Sequence, residues 1–261
     1  MAEDTSPVGG IIGFFVGLVL AAAFYFVIAI LFGADSMTAL IVAAVAGVIG
    51  AAYTAVALTK KVWEPGFFSI VGFILDMTWS LVNTLAGLLV WLPACKIFGA
   101  NFVYPDDDSK RSGAFVYDSN PRGGDYGATT IGTVIAGGWS SHEEIHIWQA
   151  RIFGPIYLLA YIISLLLNML FRLITTRTEN LTMEAYYRVP FEEWAYWAGE
   201  SSGGEINWGA WILGFLVASV YTAALLSIPV GIAFGMLPLW LSAIGVLISY
   251  SLIRAFAPRG H

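Results

Sequence analysis

Two of the chain's three histidines, His142 and His146, stand four residues apart with Glu143 directly after the first, in the stretch GGWSSHEEIHIWQARIFGP, Gly137 to Pro155. Residues four apart on a helix face the same way, so both imidazoles can bind one Zn²⁺ while Glu143 addresses water on that ion. Ser140 and Ser141 supply N-cap oxygens for the helix that carries the motif. Two histidines leave zinc under-coordinated, so a third ligand is expected elsewhere. In YYRVPFEEWAYWAGE, Pro190 suits a first helical turn and is followed by Glu192 and Glu193. Neighbouring helical residues point about 100° apart, so one of the two ligates, and Glu192 is preferred. An acidic first turn is also favoured by the helix dipole without any metal.

The elements that must position these residues are set by composition. Hydrophobic residues make up 58% of the 261-residue chain and charged residues 11%, far from the roughly 25% charged residues of soluble domains. A mostly α, polytopic membrane helix bundle of about five to six spans follows, since each span needs about 20 apolar residues. The net charge of -6 and the lack of a basic stripe exclude nucleic acid as a partner. A single cysteine, Cys95, excludes an intrachain disulfide framework. The acidic start MAEDTSPVGG lacks the positive charge of a secretory signal, which makes the first apolar run a retained span.

The chain divides into an N-terminal transmembrane hairpin over 1–65, a third transmembrane segment over 66–100, a β-hairpin with the metal-site region over 101–207, and a C-terminal transmembrane hairpin over 208–261. Gly13 and Gly17 form a small-xxx-small pair suited to close helix approach. Asp76 and Asn83 are seven residues apart, and one long helix over Phe67–Phe98 would put them on one face. The polar middle contains Asp106 to Asp108, read as a solvated loop because EF-hand spacing is missing. Two runs there, AFVY and ATTIGTVIA, are separated by the turn formers SNPRGGDYG, which predicts a small hairpin or sheet beside the H-E-x-x-H helix, on either face of the membrane. In the C-terminal hairpin, Trp208 to Ile228 and Met236 to Ile253 are the expected helices, with Pro229 and Pro238 at the turn.

HEEIH followed by EEWA resembles the membrane-associated gluzincin metallopeptidases, in which H-E-x-x-H on one helix is completed by a Glu from an E-x-x-A-D-like motif on a later helix. The fuller string HEEIHIWQ, GPIYLLAY and PFEEWA is also similar to poorly characterised bacterial proteins with H-E-x-x-H-x-x-Q, Gly-Pro-x-Tyr and Asn-Pro-Phe-Glu motifs. The resemblance covers roughly Ala128 to Ala198. It implies zinc on His142, His146 and Glu192, with Glu143 as general base, a peptide or protein substrate cut by activated water, and residence in a bacterial inner membrane. The strand before the active helix would pair with an extended substrate. Tyr196 stands in place of the Asp that orients a ligand histidine in those peptidases, and Val189 in place of the Asn. No later histidine precedes His261, so Tyr186, Tyr187 and Arg188 are the candidates for a transition-state donor. Gln149 and Ile152 occupy the Gly and His positions of the metzincin pattern, and no Leu-Asp-Gly triplet of the site-two proteases follows.

A non-catalytic membrane subunit or scaffold with a structural or vestigial zinc site, working in a membrane-protein complex, is the alternative. Transport is a weaker third reading, motivated by Asp76 and Asn83. Topology is the sharpest constraint on the zinc reading. The run IYLLAYIISLLLNMLFRLI after Pro155 is long enough to cross a bilayer, and as a simple crossing it would leave His142 and Glu192 on opposite sides. A shared metal therefore demands a compact turn, a re-entrant path or a site sunk in the bundle, and Gly154-Pro155 is where the chain can bend.

Overall fold

Small residues decide how the first two helices meet. The computed structural model describes residues 5–64, 66–103, 106–123, 127–175, 180–199 and 205–256. Helix α1 (Pro7–Leu31) starts with Pro7 behind Ser6, whose hydroxyl accepts from Gly9 N. Helix α2 (Ser36–Thr59) is capped by Asp35, which accepts from the amides of Met37 and Thr38. Gly10, Gly13, Gly17 and Ala21 are the buried stripe of α1, and a β-carbon at Gly13 or Gly17 would strike the α2 backbone. Thr54 ties that seam by donating to Gly13 O at 2.5 Å. The large side chains of α1, among them Ile11, Phe15 and Val19, are exposed, as suits a lipid solvent.

Five helices among the described residues are long and apolar enough to cross a membrane, or six when one bent pair is counted as a span. The protein is an integral membrane protein: a mostly α bundle with a small sheet.

The bent pair corrects the reading of Asp76 and Asn83. Helix α3 (Phe67–Met77) ends at Thr78, and α4 (Leu81–Ala86) leaves at 79° before a π-helical turn (Gly87–Trp91) and α5 (Leu92–Ile97). The two residues therefore do not share one straight helical face. Asp76 and the groups at the break instead receive helix α7 (Ser141–Phe153), whose Arg151 donates to Asp76 and whose last carbonyls need partners. Ser80 Oγ donates to Ala150 O at 2.9 Å, Trp79 Nε1 to Ile152 O at 3.1 Å, and Asn83 Nδ2 to Gly154 O at 2.7 Å.

Asp106, expected in a loop, caps the short helix α6 (Asp107–Ser112) by accepting from Ser109 N. Three strands follow: β1 (Phe115–Tyr117), β2 (Thr129–Ile131) and β3 (Val134–Ala136), in the order β1-β3-β2. The AFVY run thus pairs parallel to β3, Phe115 opposite Val134, and is not one arm of a hairpin with it. The hairpin lies within ATTIGTVIA, where Gly132 at φ +60° makes the turn between antiparallel β2 and β3. Alternation then gives the sheet two apolar faces. Phe115, Tyr117 and Val134 join Tyr53, Met77, Trp91 and Cys95, whereas Val116 and Ile135 pack with Ile147 of α7.

Contacts group into two compact units, Met1–Trp139 with His146–Pro155, and Ser140–Ile145 with Ile156–His261; α7 contributes to both. In the second unit, helix α8 (Tyr157–Thr175) has two unlike faces. Leu159, Ile162, Leu166, Leu170 and Leu173 are exposed, while Tyr157, Ser164, Asn168 and Arg172 are buried on a stripe that includes Tyr161. Helices α9 (Leu181–Tyr186) and α10 (Pro190–Ala198) run back along this polar stripe. Arg172 lies 3.3 Å from Glu184, Asn168 Nδ2 donates to Arg188 O at 2.8 Å, and Tyr161 donates to Glu192 at 2.5 Å. Partner numbers rise as α8 numbers fall, so the return is antiparallel. Helix α11 (Trp208–Ala233) and α12 (Leu237–Phe256) complete the unit around Tyr221, Ala224, Ala243 and Leu247. Pro229 lies inside α11, and the hairpin turns later, at Gly235 with φ +66°.

Candidate metal centre

Helix α7 is fixed at both ends. Ser140 Oγ accepts from Glu143 N at 3.3 Å, capping the start, and Gly154 at φ +54° ends it in the left-handed conformation that leads into Pro155. His142 and His146 lie one turn apart on this helix, 5% exposed each. Gln149, a further turn on, holds His146 Nδ1 at 2.9 Å from its Oε1. An amide oxygen accepting from Nδ1 leaves Nε2 as the ligating nitrogen.

Glu192 meets this helix from α10. Its Oε2 lies 3.5 Å from His142 Nε2. One ligand atom from each of His142, His146 and Glu192 can be chosen so that all lie within 4.8 Å of one another. A tetrahedral zinc about 2 Å from each ligand separates ligand atoms by roughly 3.3 Å, close to the His142–Glu192 spacing. Two imidazoles and a carboxylate are a donor set that also suits other divalent transition metals. Glu143, 4% exposed, directly follows His142, about 100° round the helix from it.

Glu193 points elsewhere. Its carboxylate takes Arg254 Nε and the Tyr250 hydroxyl, the latter at 2.9 Å. The two acidic residues of α10 thus divide, one toward the histidines and one into an ion pair.

The path that brings Glu192 back has two parts. The return along α8 undoes the separation that a simple crossing would impose. A bend does the rest: on a straight helix His142 and Tyr161 would be about 28 Å apart, too far for a single carboxylate to touch both side chains. Glu192 does touch both, with Oε1 on Tyr161 at 2.5 Å and Oε2 near His142. Chain direction therefore changes between α7 and α8, at Gly154 and Pro155.

Three aromatic groups complete the surroundings in the second unit. The Tyr196 ring packs against the His142 ring, with centroids 4.4 Å apart at 55°. The Tyr186 phenol lies near the Glu192 carboxylate. Phe191 stacks on Tyr161 at 6.2 Å and 18°. Of the other two donor candidates, Tyr187 packs on Tyr196, and Arg188 donates to Arg254 O.

Gln149 and Tyr161 are the participants to which the sequence reading gave no role. The signal was present for Tyr161: residues 157, 161, 164, 168 and 172 recur at helical spacing as the polar members of an apolar run. Gln149 lies three residues past His146, the separation that faces it.

No family model, no curated protein and no solved structure matches the chain.

Proposed function

We propose that the protein is an integral membrane zinc hydrolase of the gluzincin type that cuts a peptide or amide bond. The observation that carries this reading is the approach of Glu192 to His142 on the helix that also bears Glu143. His142, His146 and Glu192 would hold the ion, leaving a fourth position for water or substrate, as three-ligand catalytic sites do. Bound zinc would supply a lowered pKa for water and polarisation of the scissile carbonyl. Glu143 accepts the water proton and returns it to the leaving nitrogen. Gln149 fixes the tautomer of His146, and Tyr196 braces His142. The resemblance to bacterial membrane proteins supports a bacterial inner membrane as its location.

The experiment is metal analysis of the purified protein joined to Glu143→Gln. Stoichiometric zinc in both, with cleavage of a peptide library only by the unsubstituted protein, supports the reading; a protein without zinc sinks it. One observation favours a second reading, a closed structural site in a non-catalytic subunit: ligands and base are all 5% exposed or less. Zinc retained with no cleavage by either protein supports that one.

A further inference from the structure

We infer that Tyr161 is a positioning residue that holds Glu192 as a one-oxygen metal ligand. This rests on the metal reading above. The geometry divides the carboxylate: Oε1 accepts from the Tyr161 hydroxyl at 2.5 Å, and Oε2 is the oxygen 3.5 Å from His142 Nε2. A hydrogen bond to a charged carboxylate is among the strong ones, and an oxygen committed to it is a poorer second ligand.

Tyr161 can do this because it is itself held. Its ring is stacked on Phe191, the residue preceding Glu192, and meets Tyr157 edge-on at 6.1 Å and 64°. The backbone beneath it belongs to α8, whose opposite side is the exposed leucine stripe. The phenol is thus fixed by a helix of the second unit and by the same helix α10 that it serves. The ligand set is thus supported on both sides, Gln149 on His146 and Tyr161 on Glu192, while Tyr196 packs on the ring of His142.

Outer partners of metal ligands are worth about 10- to 100-fold in affinity. The test titrates chelator-stripped protein in detergent with Zn²⁺, comparing the parent, Tyr161→Phe and Tyr250→Phe. The last variant removes the matching phenol from Glu193 and serves as the control. The expected result is a 10- to 100-fold weaker Zn²⁺ affinity for Tyr161→Phe and no change for Tyr250→Phe. Co²⁺ substitution gives the second readout: strong four-coordinate absorption in the parent, weakening toward a five-coordinate spectrum in Tyr161→Phe as Oε1 joins the ion. That spectrum is read on bound protein, so it decides the matter even where the variant is less stable. Equal affinity and an unchanged spectrum overturn the inference and leave the metal reading standing. A parent that binds neither ion overturns both.

Discussion

His142 Nε2 and Glu192 Oε2 lie 3.5 Å apart, although an apolar helix long enough to cross a bilayer runs between them in sequence. Two features close the gap, the antiparallel return of α9 and α10 along α8 and the bend at Gly154. The bend is the more fragile. Gly154 has φ +54°, and a β-carbon there would strike the Trp79 indole, so Gly154→Ala is disfavoured by both backbone and space. The left-handed conformation alone costs an L-residue about 1–2 kcal/mol. Gly154→Ala is expected to lower the unfolding temperature and to weaken Zn²⁺ binding together, checked by thermal unfolding with and without Zn²⁺.

Asp76 and Arg151 form a buried pair, both about 1% exposed, with Nε and Nη2 of the guanidinium on the two carboxylate oxygens at 2.9 and 2.8 Å. Nη2 also donates to Ser112 O, Tyr53 donates to Asp76, and the Trp63 and Trp148 rings flank the cation. Removing one partner of such a pair costs about 3–5 kcal/mol because the other charge is stranded. Asp76→Asn and Arg151→Met should each lose that much, and the double variant should recover part of it. A double-mutant cycle by denaturant unfolding in detergent checks this, and additive losses would contradict it. The intramembrane carboxyl that motivated a transport reading is thereby committed to holding α7.

How much of this was readable in the sequence differs by kind of interaction. The membrane bundle follows from apolar run length alone, and Gly13 and Gly17 announce the α1–α2 seam because only small residues permit that approach. His142 and His146 were visible because helical spacing is a local property. The break after Met77 was not, since what rewards it is the set of carbonyls at and just past the end of α7 taken by Ser80, Trp79 and Asn83, distant in sequence. The strand order was hidden likewise: β1 pairs with β3 across a loop, and its apolar residues fit either neighbour. The return of α9 and α10 escaped hydropathy because Glu184, Arg188, Glu192 and Glu193 make it polar, and their partners on α8, α12 and α7 appear only in three dimensions.

Asp118 offers a pH-dependent test outside the membrane helices. Its carboxylate accepts from Asn101 Nδ2 and Asn101 N, both at 2.9 Å, and these bonds hold its pKa below the usual value. A depressed carboxylate pKa contributes stability that is present above its unfolded value, about 3.9, and is lost as pH falls through the folded one. Asp118→Asn should therefore be less stable than the parent near neutrality, with the difference shrinking below about pH 4. Thermal unfolding of both proteins from pH 7 to pH 3 measures it, and a gap that stays constant would refute the assignment.

Glu192 and Glu193 provide the cleanest separation of binding from folding, since adjacent residues of one helix have unlike partners. Glu192→Gln removes an expected ligand while leaving an amide oxygen for the Tyr161 hydroxyl, so Zn²⁺ affinity should fall steeply with little loss of stability in chelator. Glu193→Gln does the reverse. It breaks the ion pair with Arg254 and weakens the bond from Tyr250, stranding a partly buried guanidinium 22% exposed. That exposure discounts the cost to about 1–2 kcal/mol, below the figure for fully buried pairs. Zn²⁺ affinity should be unchanged in Glu193→Gln. Calorimetric titration and unfolding on the two variants check both halves, and a metal defect in Glu193→Gln equal to that in Glu192→Gln would mean that α10 as a whole, and not one carboxylate, governs the site.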